Sequence, residues 1–134
     1  MSQASVLIVS DDTEFARTAA ARWQTERYAP EVTLVTSDLW HASSATGYDL
    51  MIVGPIPHGK LTSILSSLDA NPSAAMICIP ENENEIAGLR KRHAHAAFIA
   101  KRDGWTEILI QLSSEALRRI ETLNRAQEAE KLQP

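Results

Sequence analysis

The chain is poor in the residues that would mark it as a special class. It has one cysteine, Cys78, so no disulfide framework is possible, and a reducing cytoplasm is the expected setting. Aromatic residues make up only 5% and glycines number five, with no glycine-rich phosphate loop among them. No apolar stretch approaches the ~20 residues of a membrane span, and the N-terminus lacks a basic segment leading into an apolar run. Positive charge is also scarce. Thirteen Lys and Arg against 17 Asp and Glu give a formal net charge of -4, so no attraction to nucleic acid or anionic membrane is expected. The short basic cluster Arg90-Lys91-Arg92-His93 follows three glutamates and reads as a solvated helix face.

What remains is the balance of an ordinary globular domain: 134 residues, 44% hydrophobic and 22% charged. A chain of that size buries a core without staples. Four apolar runs stand out, Val6 to Val9, Val32 to Val35, Leu50 to Val53 and Ala75 to Ile79, with a weaker fifth over Ala97 to Ala100. The first, third and fourth hardly alternate with polar residues, as expected of strands covered on both faces. Segments with helical spacing lie between them. Phe15, Ala16, Ala19, Ala20 and Trp23 form one stripe, capped by Asp12 or Thr13. A weak short helix is expected over Trp40 to Thr46. Leu61, Ile64, Leu65 and Leu68 form a third, ended by Asn71-Pro72, and Glu85 to His93 a fourth. A long helix runs from Trp105 toward Lys131, with Ile108, Leu109, Leu112 and Ala116 expected against the sheet. Strands alternating with helices predict an α/β domain, a five-stranded parallel sheet with helices on both faces in the flavodoxin-like order 2-1-3-4-5. Ligand sites of such folds lie at the carboxyl ends of the strands.

At those ends stand Ser10, Asp11 and Asp12 after the first run, Gly54 after the third, Ile79 and Pro80 after the fourth, and Lys101 after the fifth. With Val6-Leu7-Ile8-Val9 before the acids, Tyr48-Asp49-Leu50-Met51-Ile52-Val53 before Gly54 and Phe98-Ile99-Ala100 before Lys101, the chain resembles the receiver domains of two-component response regulators over about residues 5–120. The resemblance implies a flavodoxin-like (receiver) domain over 1–120, with 121–134 extending the last helix as a linker or coiled coil to an output domain. It also implies the family's chemistry: an acid pair for Mg²⁺, a nucleophilic aspartate, a Ser or Thr contacting the phosphoryl group, and a charge-neutralising lysine.

This sequence departs from that pattern. Ser10 stands at the first acid, Gly54 at the phosphoacceptor, Ile79 at the Ser/Thr position, and Arg102 follows Lys101 where proline is usual. Asp11, Asp12 and Lys101 are retained. A glycine cannot form an acyl phosphate, and Asp49 at the start of the strand is about 16 Å from its end at ~3.3 Å per residue. Two adjacent carboxylates make a poor Mg²⁺ site, so no cofactor is expected, and a Lys101–Asp11 ion pair can take the metal's place. Phe98 matches the family's switch aromatic, with static inward packing the expected state. The expected function is that of a non-enzymatic pseudo-receiver in a phosphorelay-type system, acting by protein–protein contact. Its partners are signalling proteins or an attached output or kinase domain, or a second copy through the last helix. Trp105, Leu109, Leu112, Ala116, Ile120 and Leu123 are the interface candidates. The alternative is a flavodoxin-like domain binding a small ligand or nucleotide at the strand ends. Zinc at His93 and His95, a P-loop at Gly54 to Gly59 and a serine-hydrolase elbow all lack the required spacing. Cys78 reads as a core thiol and Gly54 to Gly59 as a stiff loop.

Overall fold

The computed structural model describes residues 4–25, 30–40, 47–69 and 75–132, with the backbone alone at 58, 68, 69 and 120–132. Its elements run β1 (Ser5–Val9), α1 (Thr13–Gln24), β2 (Glu31–Val35), a 3-10 turn (Ser37–Leu39), β3 (Leu50–Val53), α2 (His58–Asp69), β4 (Ala75–Cys78), a second 3-10 turn (Glu83–Glu85), α3 (Ile86–Arg92), β5 (Ala97–Phe98) and α4 (Trp105–Leu132). All pairings are parallel, and the sheet order is β2-β1-β3-β4-β5. The flavodoxin-like order read from the apolar runs is the observed one.

The unbroken apolar runs are explained by burial on two faces. Val6 and Ile8 of β1, Leu50 and Ile52 of β3 and Ile77 of β4 point into one core with Phe15, Ala19 and Trp23 of α1 and Leu109 and Ile110 of α4. Their neighbours Leu7, Val9, Met51, Val53, Met76 and Cys78 point the other way, onto Leu61, Ile64 and Leu65 of α2 and Leu89 of α3. Each fully buried aliphatic side chain contributes roughly 1.5–3 kcal/mol, so the two layers together outweigh any single surface interaction.

Several expectations need correction. Gly59 lies inside α2, which starts at His58, so the Gly54 loop is shorter than the composition suggested. Prolines at 55 and 57, either side of Ile56, fix its turn, and Leu61 N–H already bonds the Pro57 carbonyl at 2.9 Å. On α4 one member of the expected inward stripe faces out: Ile108 is 48% exposed, whereas Leu109 is fully buried in the core and so is not available as an interface residue. Leu112 and Ala116 are half-buried at the flank of the core, and the side chains of Ile120 and Leu123 lie outside the described residues. His93 stands at the C-cap of α3 and His95 is exposed, but His93 is buried there and so does not belong to the solvated basic face of Arg90 to Arg92. The short helix expected over Trp40 to Thr46 falls, from residue 41, outside the described residues, as do Asn71-Pro72 and the side chain of Leu68. No described helix is long and apolar enough to cross a membrane.

Candidate functional site

The carboxyl ends of β1, β3, β4 and β5 bring Ser10, Asp11, Asp12, Gly54, Ile79 and Lys101 to one edge of the sheet. The backbone fixes the arrangement, because strand pairing continues one residue past each strand. Gly54 N–H donates to Val9 O at 2.8 Å, Ile79 N–H to Val53 O at 2.8 Å and Ile99 N–H to Cys78 O at 3.0 Å. Ser10 N–H donates to Val35 O at 3.0 Å, tying β1 to β2 at the same level.

Ser10 is buried, and its hydroxyl is used up internally. Its Oγ donates to Pro55 O at 3.1 Å and accepts from Asp12 N–H at 3.1 Å. Pro55 O also accepts from Asp11 N–H at 3.2 Å, so one carbonyl anchors the turn after β1 to the turn after β3. Proline offers no N–H in return, and the bonds run one way.

The two carboxylates diverge. Asp11 turns toward β2: Oδ1 accepts from Ser37 N–H at 2.8 Å and Oδ2 from Ser37 Oγ at 2.7 Å, closing the first 3-10 turn. Partial desolvation pushes the Asp11 carboxyl up. The two Ser37 bonds and the nearby Lys60 charge outweigh it, leaving the pKa below the ordinary value. Lys60 itself pairs with Asp38 at 2.9 Å, which raises the lysine. Asp12 turns the opposite way. Its Oδ1 caps α1 by accepting from Phe15 N–H at 3.0 Å, and its Oδ2 takes Lys101 Nζ at 2.8 Å. The Lys101 bond, then the cap, lower the Asp12 pKa. The ion pair expected between Lys101 and Asp11 is therefore formed with Asp12 instead. An N-capping carboxylate leaves its second oxygen directed across α1 toward β5, whereas Asp11 is already held by Ser37.

The donor set does not fit a six-oxygen Mg²⁺ site. Asp11 and Asp12 point to different partners, Ser10 donates to a carbonyl, and Gly54 and Ile79 supply no side-chain oxygen. Among the described residues no group of three or more His, Cys, Asp or Glu is arranged around a common point. Asp49, at the amino end of β3, accepts from Ser5 N–H at 3.0 Å and is remote from this edge.

One residue of the site was not singled out from sequence. The ring of Phe15 lies over Gly54, so that a β-carbon at Gly54 would stand 2.3 Å from Phe15 Cε1, 2.7 Å from Cδ1 and 3.0 Å from Cζ. Phe15 is 1% exposed and stacks on Trp105, with ring centroids 4.7 Å apart and planes 20° apart. The space beside the end of β3 is thus filled by an aromatic pair from α1 and α4. Within a helical stripe Phe15 looks like any core residue; only the glycine opposite it is a signal, and the two are paired by tertiary structure alone. Arg22 of α1 adds a forked pair with Glu107 of α4, at 3.0 and 3.2 Å, lowering the Glu107 carboxyl. Phe98 packs half-buried on the α2–α3 side of the sheet. Beyond Lys101, Arg102 pairs with Glu83 across an open cleft lined also by Glu81, Asn82 and Glu85.

The fold and this edge define an open, doubly wound α/β domain of flavodoxin-like strand order. Among solved structures that fold is the receiver fold of response regulators. Response regulator DrrB of Thermotoga maritima, an OmpR/PhoB homologue, superposes with a TM-score of 0.66 at 15% identity over 88% of this chain, which spans only 54% of the DrrB chain. A CheY-like receiver domain protein from Methanospirillum hungatei JF-1 gives 0.69 at 20% identity, covering 90% of this chain and 99% of that one. A chain described as adenylate cyclase from Rhodopirellula baltica gives 0.70 at 14% identity over 98% of this chain and 100% of that one. No family model and no curated protein matches the sequence.

Proposed function

We propose that this chain is a receiver-type module of a two-component-type signalling system that works by protein–protein contact, without aspartyl phosphorylation and without a resident Mg²⁺. One observation carries the reading: position 54, at the carboxyl end of the third strand in a receiver fold, is a glycine whose missing side chain is replaced by the ring of Phe15. There is neither a carboxylate to attack a phosphoryl group nor room for one. The remaining polar groups are committed to structure: Asp11 to the turn after β2, Asp12 to the cap of α1, and Lys101 to Asp12.

Output then falls to the surface. The exposed Ile108 beside half-buried Leu112 on α4, with the helix continuing to Leu132, offers a contact face for a signalling protein, an attached output or kinase domain, or a second copy. The alternative, a small ligand or nucleotide held at the strand ends, has less support because Phe15 and the Asp12–Lys101 pair take up that space. Likeness to the chain described as an adenylate cyclase concerns the fold, and no cyclase activity is proposed. Incubation with a small acyl-phosphate donor and Mg²⁺, followed by intact-mass measurement, tests the reading: the mass is expected to stay unchanged. Stable gain of one phosphoryl group overturns it, and saturable thermal stabilisation by a nucleotide favours the alternative.

A further inference from the structure

We infer that Phe15 is a positioning residue that sets the base of the long C-terminal helix, so that α4 acts as a lever whose angle reports the packing at Gly54. Trp105 is the first residue of α4, and its ring stacks on Phe15. Gly104, with φ +88, makes the sharp turn that feeds Trp105 onto that ring, a backbone state that other residues adopt only with strain. Leu109 and Ile110, on the next turn, share the core with Phe15, and the Arg22–Glu107 fork closes the same α1–α4 contact at the surface. The base of the helix is therefore held by α1 as much as by the sheet.

The helix is 28 residues long, about 42 Å at 1.5 Å per residue. Among the described side chains its last buried one is Ser113, with Ala116 and Leu117 at the flank of the core. A rigid rod held over its first third multiplies any displacement there. A 1 Å shift of Trp105 about a pivot near Ser113, roughly 12 Å along the axis, moves Leu132 by more than 2 Å in the opposite sense. The ring at Phe15 has no slack on its far side because Gly54 already lies inside normal contact distance for any added carbon. Packed cores of this kind respond by discrete repacking rather than by smooth yielding.

The test places spin labels at Ser63→Cys on the exposed face of α2 and Lys131→Cys near the end of α4, and measures their distance distribution in the full chain. Cys78 is buried and stays unlabelled under native conditions. Gly54→Ala, which presses the ring outward, is expected to shift the mean distance by about 2–3 Å, and Phe15→Leu, which loosens the seat, to broaden the distribution. Leu65→Val, a cavity in the opposite core layer, is expected to change neither while lowering stability comparably. Should Gly54→Ala fold poorly, Phe15→Leu against Leu65→Val decides alone. Unchanged distances in the Gly54 and Phe15 variants, or equal changes in Leu65→Val, overturn the inference.

Discussion

Gly54→Ala is the smallest change that probes the filled site. The added carbon would stand 2.3 Å from Phe15 Cε1, well inside the ~3.5–4.0 Å of a favourable carbon contact, so the ring must retreat by more than about 1 Å. Phe15 has little room to do so, being almost wholly buried and stacked on Trp105. Overpacking of this sort costs about 1–3 kcal/mol. Gly54 does not have a positive φ, so alanine also restricts the unfolded chain, returning about 0.4–1 kcal/mol. The net expectation is a loss of about 1–2 kcal/mol, read as a lower urea midpoint at unchanged slope. The decisive comparison is the same substitution in a Phe15→Leu background, where the ring edge is gone. There Gly54→Ala should become neutral or slightly stabilising, a coupling of about 1–3 kcal/mol between the two positions. Equal costs of Gly54→Ala in both backgrounds would refute the steric account.

Three further outcomes follow from individual groups. The Ser113 hydroxyl is fully buried in α4 with no hydrogen-bond partner, so Ser113→Ala should raise stability by about 1–2 kcal/mol in urea unfolding; a loss instead would mean that the hydroxyl is bonded. Asp12→Asn keeps a capping side chain but loses the charge on Lys101, costing about 1 kcal/mol or less at pH 7, while Asp12→Ala should cost about 0.5–2 kcal/mol more. Because the folded Asp12 pKa is lowered, its contribution is complete above the unfolded carboxylate value and is lost as pH falls through the folded one. The melting-temperature gap between wild type and Asp12→Asn should accordingly be constant from pH 7 to about 5 and narrow progressively as pH falls below about 4; a gap that does not narrow on acidification contradicts the assignment. Burial, followed by the charge of Glu85, pushes the Cys78 thiol up to about 12. A disulfide reagent at pH 8 should label it only as the chain unfolds, and rapid native labelling would show that the core around β4 opens.

The sheet was legible because strands buried on both faces leave continuous apolar runs, and Val6–Val9, Leu50–Val53 and Ala75–Ile79 are such runs. The end of α1 was legible for a local reason, since Asp12 stands three residues before the Phe15 N–H that it caps. What escaped the sequence depends on which way a side chain turns. Asp11 and Asp12 are chemically alike and adjacent, and only the turn at Ser37 and the cap of α1 decide which one meets Lys101. On α4 the outward turn of Ile108 was not legible because Ile108, Leu109 and Ile110 are all apolar; the pattern alone does not say which of three neighbours faces out. Phe15 over Gly54 was hidden most deeply, because a vacancy in one segment and a bulky ring in another become a pair only once the fold exists.

That pairing bears on how the site could change over generations. An acid that the packing tolerates at position 54 takes more than one substitution. Gly54→Asp alone drives a carboxylate into a buried ring, and trimming Phe15 alone opens a cavity beneath Trp105, at about 3–5 kcal/mol if cut to alanine. Against a total stability of order 5–15 kcal/mol, either first step leaves the chain weakened before any chemistry is gained. The glycine and the ring guard each other, and a mutational path that places an acid at this position one residue at a time has to cross a valley in stability.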